Sequence, residues 1–220
     1  MAWASNLGSH RFLTPGDGWL SLSSQLKPRV EWGLVSLCAD PKHVDEMIHS
    51  IYFRSLSHLK VNKNIKKEMR TLPGMFQGLG MFNLILDCLG SRIYFLRRHW
   101  KLPSPIGCML LQAYECFQMD VGLQGNIFTR NFDELGGLAS HSWMKTTWQL
   151  CHRFRVEFTV HSKQDIPLLR EGDKSIMECI ISSGVFNKGE FATLGRVAKH
   201  KTVYSLGDLL ECDGRRVRPC

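Results

Sequence analysis

Residues 61–100 read VNKNIKKEMRTLPGMFQGLGMFNLILDCLGSRIYFLRRHW, and this stretch decides the fold class. The stretch begins with a lysine-rich segment, which is followed by three glycines, Gly74, Gly78 and Gly80. It ends with a long segment whose apolar side chains recur at helical spacing. Glycine favours tight turns over continuous helix, whereas apolar residues every three or four positions predict an amphipathic helix. That apolar stripe consists of Leu84, Cys88, Leu89, Ile93 and Leu96. The stretch therefore predicts a turn between helices, with Gly78 and Gly80 as its structural residues.

Helix starts with the same chemistry recur along the chain. Asp40-Pro41 and Ser104-Pro105 each combine an N-cap side chain with a first-turn proline. Asn83 is a candidate N-cap for the helix in the opening stretch. A further helix is predicted around residues 140–154. These signals indicate a chain dominated by helices.

The last third of the chain carries a change of period. Val156, Phe158 and Val160 alternate with polar residues, which predicts a short strand. Asp173 is a candidate helix start, with an end at Gly184, and Ser205-x-x-Asp208 resembles a capping box. The predicted fold class is therefore mostly α and helical bundle-like, with a minor β element in the C-terminal third.

Composition predicts three regions. Residues 1–30 are rich in Gly, Ser, Pro and Asp and are expected to form a poorly structured lead-in. Residues 31–121 form a helical region, and residues 122–220 form a mixed, mainly helical region. A turn-rich segment predicts a seam near residues 122–138.

Charge and cysteine usage restrict the class of protein. The 220 residues include 28 basic and 20 acidic side chains, a formal charge of +8 that suits phosphate backbones or anionic surfaces. The eight cysteines include no C-x-x-C pair, which argues against a zinc ribbon or a thioredoxin-type site. Since neither a signal peptide nor an apolar run of about 18 residues is present, we expect an intracellular protein of cytoplasm or nucleus and no membrane partner.

The sequence lacks the patterns that catalysis usually requires. A two-metal site needs clustered carboxylates, whereas the acidic residues here are dispersed and no Asp-Asp pair occurs. No phosphate-binding G-x-x-x-x-G-K-[ST] loop, G-x-S-x-G elbow or H-E-x-x-H motif is present. We therefore expect no catalytic residue, no metal, no cofactor and no small-molecule substrate.

Basic clusters are the best candidates for a binding site. The first contains Lys60, Lys63, Lys66, Lys67 and Arg70. On a continuous helix the last four would share one face, suited to following a phosphate backbone. The alternative is an ordinary solvated surface.

Two further basic clusters follow along the chain. Arg97, Arg98 and Lys101 form the second, beside His99 and Trp100. Arg215, Arg216 and Arg218 form the third. The candidate nucleic-acid-binding residues come from the first two clusters. They are Lys60, Lys63, Lys66, Lys67, Arg70, Arg97, Arg98 and Lys101.

Four short motifs occur in an order that resembles a known family. They are Trp32-Gly33-Leu34, Val61-Asn62-Lys63-Asn64, Leu72-Pro73 and the segment QGLGMFNL at residues 77–84. The order resembles the region just after the palm in reverse transcriptases of non-LTR, LINE-like retrotransposons. Gln77 departs from the pattern, since glycine is usual at that position. Weaker likeness to the C-terminal tract of such polyproteins continues at residues 95–100, 122–126, 168–173 and 212–215.

The resemblance implies that residues 31–121 are a helical thumb or connection module, which grips the template–primer duplex in the family. The implied partner is nucleic acid, RNA or an RNA–DNA duplex, bound weakly and without sequence specificity. The family's metal-binding aspartates belong to an aromatic-x-Asp-Asp motif upstream, and residues 1–30 do not match it. We therefore expect a truncated fragment of an RNA-directed DNA polymerase that lacks the palm and is inactive alone. The alternative is a non-enzymatic helical interaction protein that binds acidic partners through the same basic faces.

Overall fold

The computed structural model describes residues 2–9, 13–100, 102–160, 172–210 and 217. Its regular structure is almost entirely helical, so the prediction of a mostly α fold is confirmed. Within these ranges, β pairing consists of two isolated bridges, Ser175–Ser205 and Leu210–Val217. No helix in the described part of the chain is both long and apolar enough to cross a membrane.

The chain divides into two compact units, Met1–Arg92 and Ile93–Cys220. The sequence predicts a seam near residues 122–138, and the structure differs because that segment is part of a core. Leu123, Ile127, Phe128 and Leu135 are all buried in the second unit. The turn signals there mark short connections within one core, and the division falls inside a helix instead.

Unit 1 is built from helices. The α-helices are α1 Ala2–Ser9, α2 Pro15–Ser21, α3 Lys27–Ser36, α4 Pro41–Leu56 and α5 Lys67–Thr71, followed by the start of α6 Leu84–His99. A π-helical turn at Leu22–Leu26 joins α2 to α3, and a 3-10 turn at Gly74–Phe76 follows α5. The core is formed by the apolar sides of these helices.

The described part of residues 1–30 is largely helical and differs from the expected poorly structured lead-in. Thr14 and Asp17 form a reciprocal capping box at the start of α2. Leu22 and Leu26, in the π-helical turn, are buried in unit 1. The Gly-, Ser- and Pro-rich composition hides these helices because the cap residues are themselves turn-forming types.

Three of the predicted helix starts, at Asp40, Asn83 and Ser104, are confirmed. The Asp40 carboxylate accepts a hydrogen bond from the Lys42 amide at 3.0 Å, and Asn83 accepts one from Leu86 at 3.3 Å. Ser104 caps the helix that begins at Pro105. In each case one local side chain satisfies an amide that the first helical turn leaves without a partner.

A buried arginine ties α3 to α6 in unit 1. Arg92 is 1% exposed, and its guanidinium donates hydrogen bonds to the carbonyl oxygens of Leu34, at 3.3 Å, and Leu37. The Cys88 thiol also donates to the Leu34 oxygen, at 3.4 Å. Burial lowers the pKa of Arg92 and raises that of the Cys88 thiol. These contacts satisfy carbonyl groups at the C-terminal end of α3.

Unit 2 surrounds an aromatic core. Its helices are α6 from Ile93 onward, α7 Pro105–Val121, α8 Phe132–Leu135, α9 Trp143–Phe154, α10 Ile176–Ser183, α11 Lys188–His200 and α12 Leu206–Leu209. Two 3-10 turns lie at Ile127–Thr129 and Gly136–Leu138. Trp148 is fully buried, packs edge-on against Phe117 and Phe132, and donates its indole N–H to the Arg130 carbonyl at 2.9 Å.

The predicted strand at residues 156–160 is wrong. The Val156 amide donates to the Cys151 carbonyl at 2.9 Å, and the Phe158 carbonyl accepts from the Asn126 side chain at 2.8 Å. Their backbone groups therefore pair with a helix end and a side chain. The alternation of apolar residues serves to bury Val160, which is 8% exposed.

The caps of the last helices are mostly as predicted. Gly184 ends α10 with φ +65°, and Ser205 and Asp208 form the predicted capping box. The N-cap of α10 is Ser175 and not Asp173. The Asp173 carboxylate instead accepts from the Gly207 amide at 3.0 Å, which ties α12 to the segment before α10.

Candidate nucleic-acid interface

The first basic cluster lies mainly on a loop between α4 and α5, residues 57–66, which we call the lysine loop. The Val61 amide donates to the Leu56 carbonyl at 2.9 Å. The Asn62 side chain accepts from the Asn64 amide at 2.9 Å. Lys60 adopts the left-handed region, with φ +56°. Hydrogen bonds at successive turns therefore define the path of this loop.

Arg70 has a different place from the one that the sequence predicts. It is 6% exposed, and its guanidinium donates to the carbonyl oxygens of Ile65, at 3.0 and 3.2 Å, and Lys63, at 3.3 Å. Its donors are used within the protein, so Arg70 supports the lysine loop and is not placed to contact phosphate. The planar fork of donors suits this bridging of neighbouring carbonyls.

The prediction of one continuous basic helix face is also wrong. Because α5 begins at Lys67, Lys63 and Lys66 lie on the loop. Lys67 is half-exposed and pairs with Asp45 of α4 at 2.7 Å. Across the part of the chain that the structure describes, this is the one ion pair made by the first cluster. Lys60, Lys63 and Lys66 are exposed.

An aromatic side chain lies beside the loop. The Lys63 ammonium is 5.3 Å from the centroid of the Phe53 ring. Phe53 is 43% exposed, and the His49 ring stacks near it at 6.3 Å with an interplanar angle of 29°. Neither residue belongs to a motif or charge cluster in the sequence. The available signal was an aromatic side chain outside the apolar stripe of α4.

The second cluster lies in unit 2. Arg97 and Arg98 are exposed in the last turn of α6, where cations also interact favourably with the helix dipole. Lys101 lies outside the described residues, and so do Arg215, Arg216 and Arg218 of the third cluster.

The glycine turn packs against α5. The Leu79 amide donates to the Met69 carbonyl, and the Gly80 amide to the Leu72 carbonyl, both at 2.9 Å. A Cβ on Gly78 would lie 2.0 Å from the Leu72 oxygen, and Gly80 has φ +62°. These glycines therefore permit a close backbone approach. Their amides are already paired, which leaves no phosphate cradle there.

Unit 2 holds a partly buried cluster of charges that no pattern in the sequence indicates. The Lys199 ammonium contacts the Asp120 carboxylate at 2.5 Å and donates to the Leu138 carbonyl at 2.8 Å. The Ser140 amide also donates to Asp120, and the Lys145 ammonium donates to the Ala139 carbonyl at 2.7 Å. We call these residues the lysine clamp, because both lysines hold the carbonyls of residues 138–139.

The pKa shifts in the lysine clamp follow from this geometry. Burial by itself would raise the pKa of Asp120, but the hydrogen bonds from Lys199 and Ser140 outweigh it and lower the pKa. Burial lowers the pKa of Lys145. The adjoining cavity has a volume of about 10 Å³, room for about one water molecule. The charges of the cluster are therefore paired with one another and with backbone groups.

No metal centre is present in the described ranges, where no group of three or more His, Cys, Asp or Glu side chains could hold an ion. In comparisons with protein-family models, with curated proteins and with solved structures, nothing matches this chain. The geometry of the lysine loop and the ordered motifs in the sequence are thus what bears on function.

Proposed function

We propose that this chain binds the phosphate backbone of nucleic acid, RNA or an RNA–DNA duplex, through the lysine loop, weakly and without sequence preference. It would be a non-catalytic relative of the region that follows the palm in non-LTR retrotransposon reverse transcriptases, acting where RNA is present, in the cytoplasm or nucleus. The alternative is a helical interaction protein that uses the same lysines to bind acidic proteins.

One observation carries the proposal: hydrogen bonds from buried Arg70 hold the backbone of the lysine loop, while the lysines of the loop are exposed. Arg70 donates to the carbonyls of Lys63 and Ile65, and Lys60, Lys63 and Lys66 are exposed. A preformed loop loses less conformational entropy on binding than a flexible one. Lysines with no carboxylate partner among the described residues are free to neutralise phosphates.

Gln77 supports the relationship to reverse transcriptases. The family pattern has glycine at this position, and Gln77 has φ +61°, a region that glycine enters more easily than other residues. The backbone thus keeps a glycine-like conformation where the sequence departs from the pattern. The helix, the basic linker and the glycine turn also follow one another in the family's order.

The proposal is tested by binding a labelled RNA–DNA duplex across a series of KCl concentrations. We expect log K to fall linearly with log salt, with a slope of about −0.9 for each phosphate contacted. The triple variant Lys60→Gln, Lys63→Gln and Lys66→Gln should reduce the slope by about 2 to 3.

A matched control removes the same charge elsewhere. Lys174, Arg196 and Lys201 are exposed in unit 2, and their triple replacement by glutamine should leave most of the binding. A flat salt plot for the wild type, or an equal loss in the control, would refute backbone binding by the loop. If polyglutamate instead competes as well as nucleic acid at equal charge, the acidic-partner alternative is correct.

A further inference from the structure

Phe53 projects from the polar side of α4 with its ring open to solvent. The ring is 43% exposed, whereas the stripe of α4 that includes Ile48, Ile51 and Tyr52 is buried. His49, one helical turn earlier, stacks near it at 6.3 Å. A flat apolar surface is therefore presented on the side of the helix that normally carries polar residues.

The lysine loop adjoins this ring. Lys63 places its ammonium 5.3 Å from the ring centroid, and its carbonyl is one of those held by Arg70. The Arg70 hydrogen bond thus also helps to hold the backbone of Lys63 beside Phe53. An aromatic platform beside backbone-binding cations is the combination that single-stranded nucleic acids require, since bases stack on the ring while lysines neutralise phosphates.

We infer that Phe53, with His49 and Lys63, is a stacking site for an unpaired nucleobase, and that the chain prefers single-stranded nucleic acid over duplex. The inference rests on the proposed function, because the lysine loop must hold the adjacent phosphates. A base stacks on the exposed part of Phe53, and Lys63 turns from the ring to the phosphate. In a duplex, both faces of each internal base are already stacked on neighbouring bases, so an internal base cannot stack on Phe53.

The charges near the ring fit a polyanion. Lys60, Lys63 and Lys66 are exposed on the loop, and the Asp45 carboxylate of α4 is held by Lys67 at 2.7 Å. Glu46 lies seven residues before Phe53, at the N-terminal end of the same helix side. The Glu46 carboxylate is thus about two helical turns from the ring, whereas the Lys63 ammonium is 5.3 Å from the ring centroid.

The experiment measures the binding of a labelled 12-nucleotide single strand and of the matching duplex to the full chain. Phe53→Leu keeps apolar bulk and removes the aromatic face. Because a stacked base contributes about 1–3 kcal/mol, we expect the single-strand affinity to fall about 5- to 150-fold. The duplex affinity and the salt slope should be unchanged, and Phe53→Trp should bind the single strand at least as tightly as wild type.

Phe186→Leu is the matched control, because Phe186 is a 39% exposed aromatic residue in unit 2. It should leave both affinities unchanged. Salt-dependent binding that Phe53→Leu does not alter, or alters equally for single strand and duplex, overturns the stacking site and leaves the proposed function standing. Absence of any salt-dependent binding by the wild type overturns both.

Discussion

The lysine loop of unit 1 and the lysine clamp of unit 2 use the same side chain in opposite ways. In the loop, the lysines at positions 60, 63 and 66 are exposed. Buried Arg70 donates hydrogen bonds to the loop carbonyls of Lys63 and Ile65. In the clamp, the Lys199 ammonium itself binds the Asp120 carboxylate and the Leu138 carbonyl, and the Lys199 side chain is 29% exposed. A lysine is available to a ligand only where another group has already met the needs of the nearby backbone.

This difference separates two kinds of basic residue that look alike in the sequence. Removing a cation from the clamp leaves partly buried acceptors unpaired, which destabilises the fold. Removing one from the loop surface leaves only solvated groups behind, so stability is nearly unchanged and only binding suffers. The predictions below test this separation.

The largest effect is expected in the clamp. Lys199→Met should lower the free energy of unfolding of unit 2 by about 2–3 kcal/mol, because the Asp120 carboxylate loses its cation. Lys66→Met, the matched change in the loop, should stay within about 0.5 kcal/mol. Urea unfolding followed by far-UV circular dichroism measures both, because both units are helical. Equal effects of the two substitutions would contradict the comparison.

A smaller effect is expected beneath the loop. Arg70→Met should destabilise the lysine loop by about 1–2 kcal/mol, because the carbonyls of Lys63 and Ile65 lose a charged donor. Amide hydrogen exchange at Ile65 and its neighbours reports this locally, and nucleic-acid affinity should fall with it. Arg97→Met removes an exposed arginine in unit 2 and is the control. Unchanged exchange in Arg70→Met would show that the loop needs no such support.

The smallest effect concerns pH. Because the pKa of Asp120 is lower in the folded protein than its ordinary value of 3.8, its ionised form stabilises unit 2 fully above that value. This stabilisation is lost as pH falls through the lower, folded pKa. Asp120→Asn should therefore flatten the acid end of the stability curve, measured by urea unfolding between pH 6 and 2.

Glu157→Gln controls for the loss of any carboxylate, since Glu157 is exposed. Its acid stability curve should keep the wild-type shape. The interpretation of the clamp is wrong if Asp120→Asn and the wild type lose stability in parallel over the same acid range.

The candidate site could be only partly predicted from the sequence. The lysines at positions 60, 63 and 66 are exposed. The helix face predicted for residues 63, 66, 67 and 70 does not exist, because the chain turns at Asn62 and enters α5 only at Lys67. Arg70 belongs to the same charge run and serves a structural purpose. Spacing cannot reveal this, because burial depends on where the loop folds back over α5.

The sequence by itself determined the local structure. Caps at Asp40, Asn83 and Ser104, the apolar stripes behind them and the glycine turn each depend on hydrogen bonds or steric limits within a few residues. Such interactions are nearly independent of the rest of the chain. They fix the helical class and the helix starts after Asp40, Asn83 and Ser104.

Only the tertiary structure decided which charged and aromatic residues are free to act. Asp120 and Lys199 are 79 residues apart in the chain, and Phe53 meets Lys63 only because the lysine loop returns along α4. The division at Arg92 likewise depends on which core each segment joins. These outcomes follow from packing between distant segments, which brings side chains together in a way that their spacing along the chain does not encode.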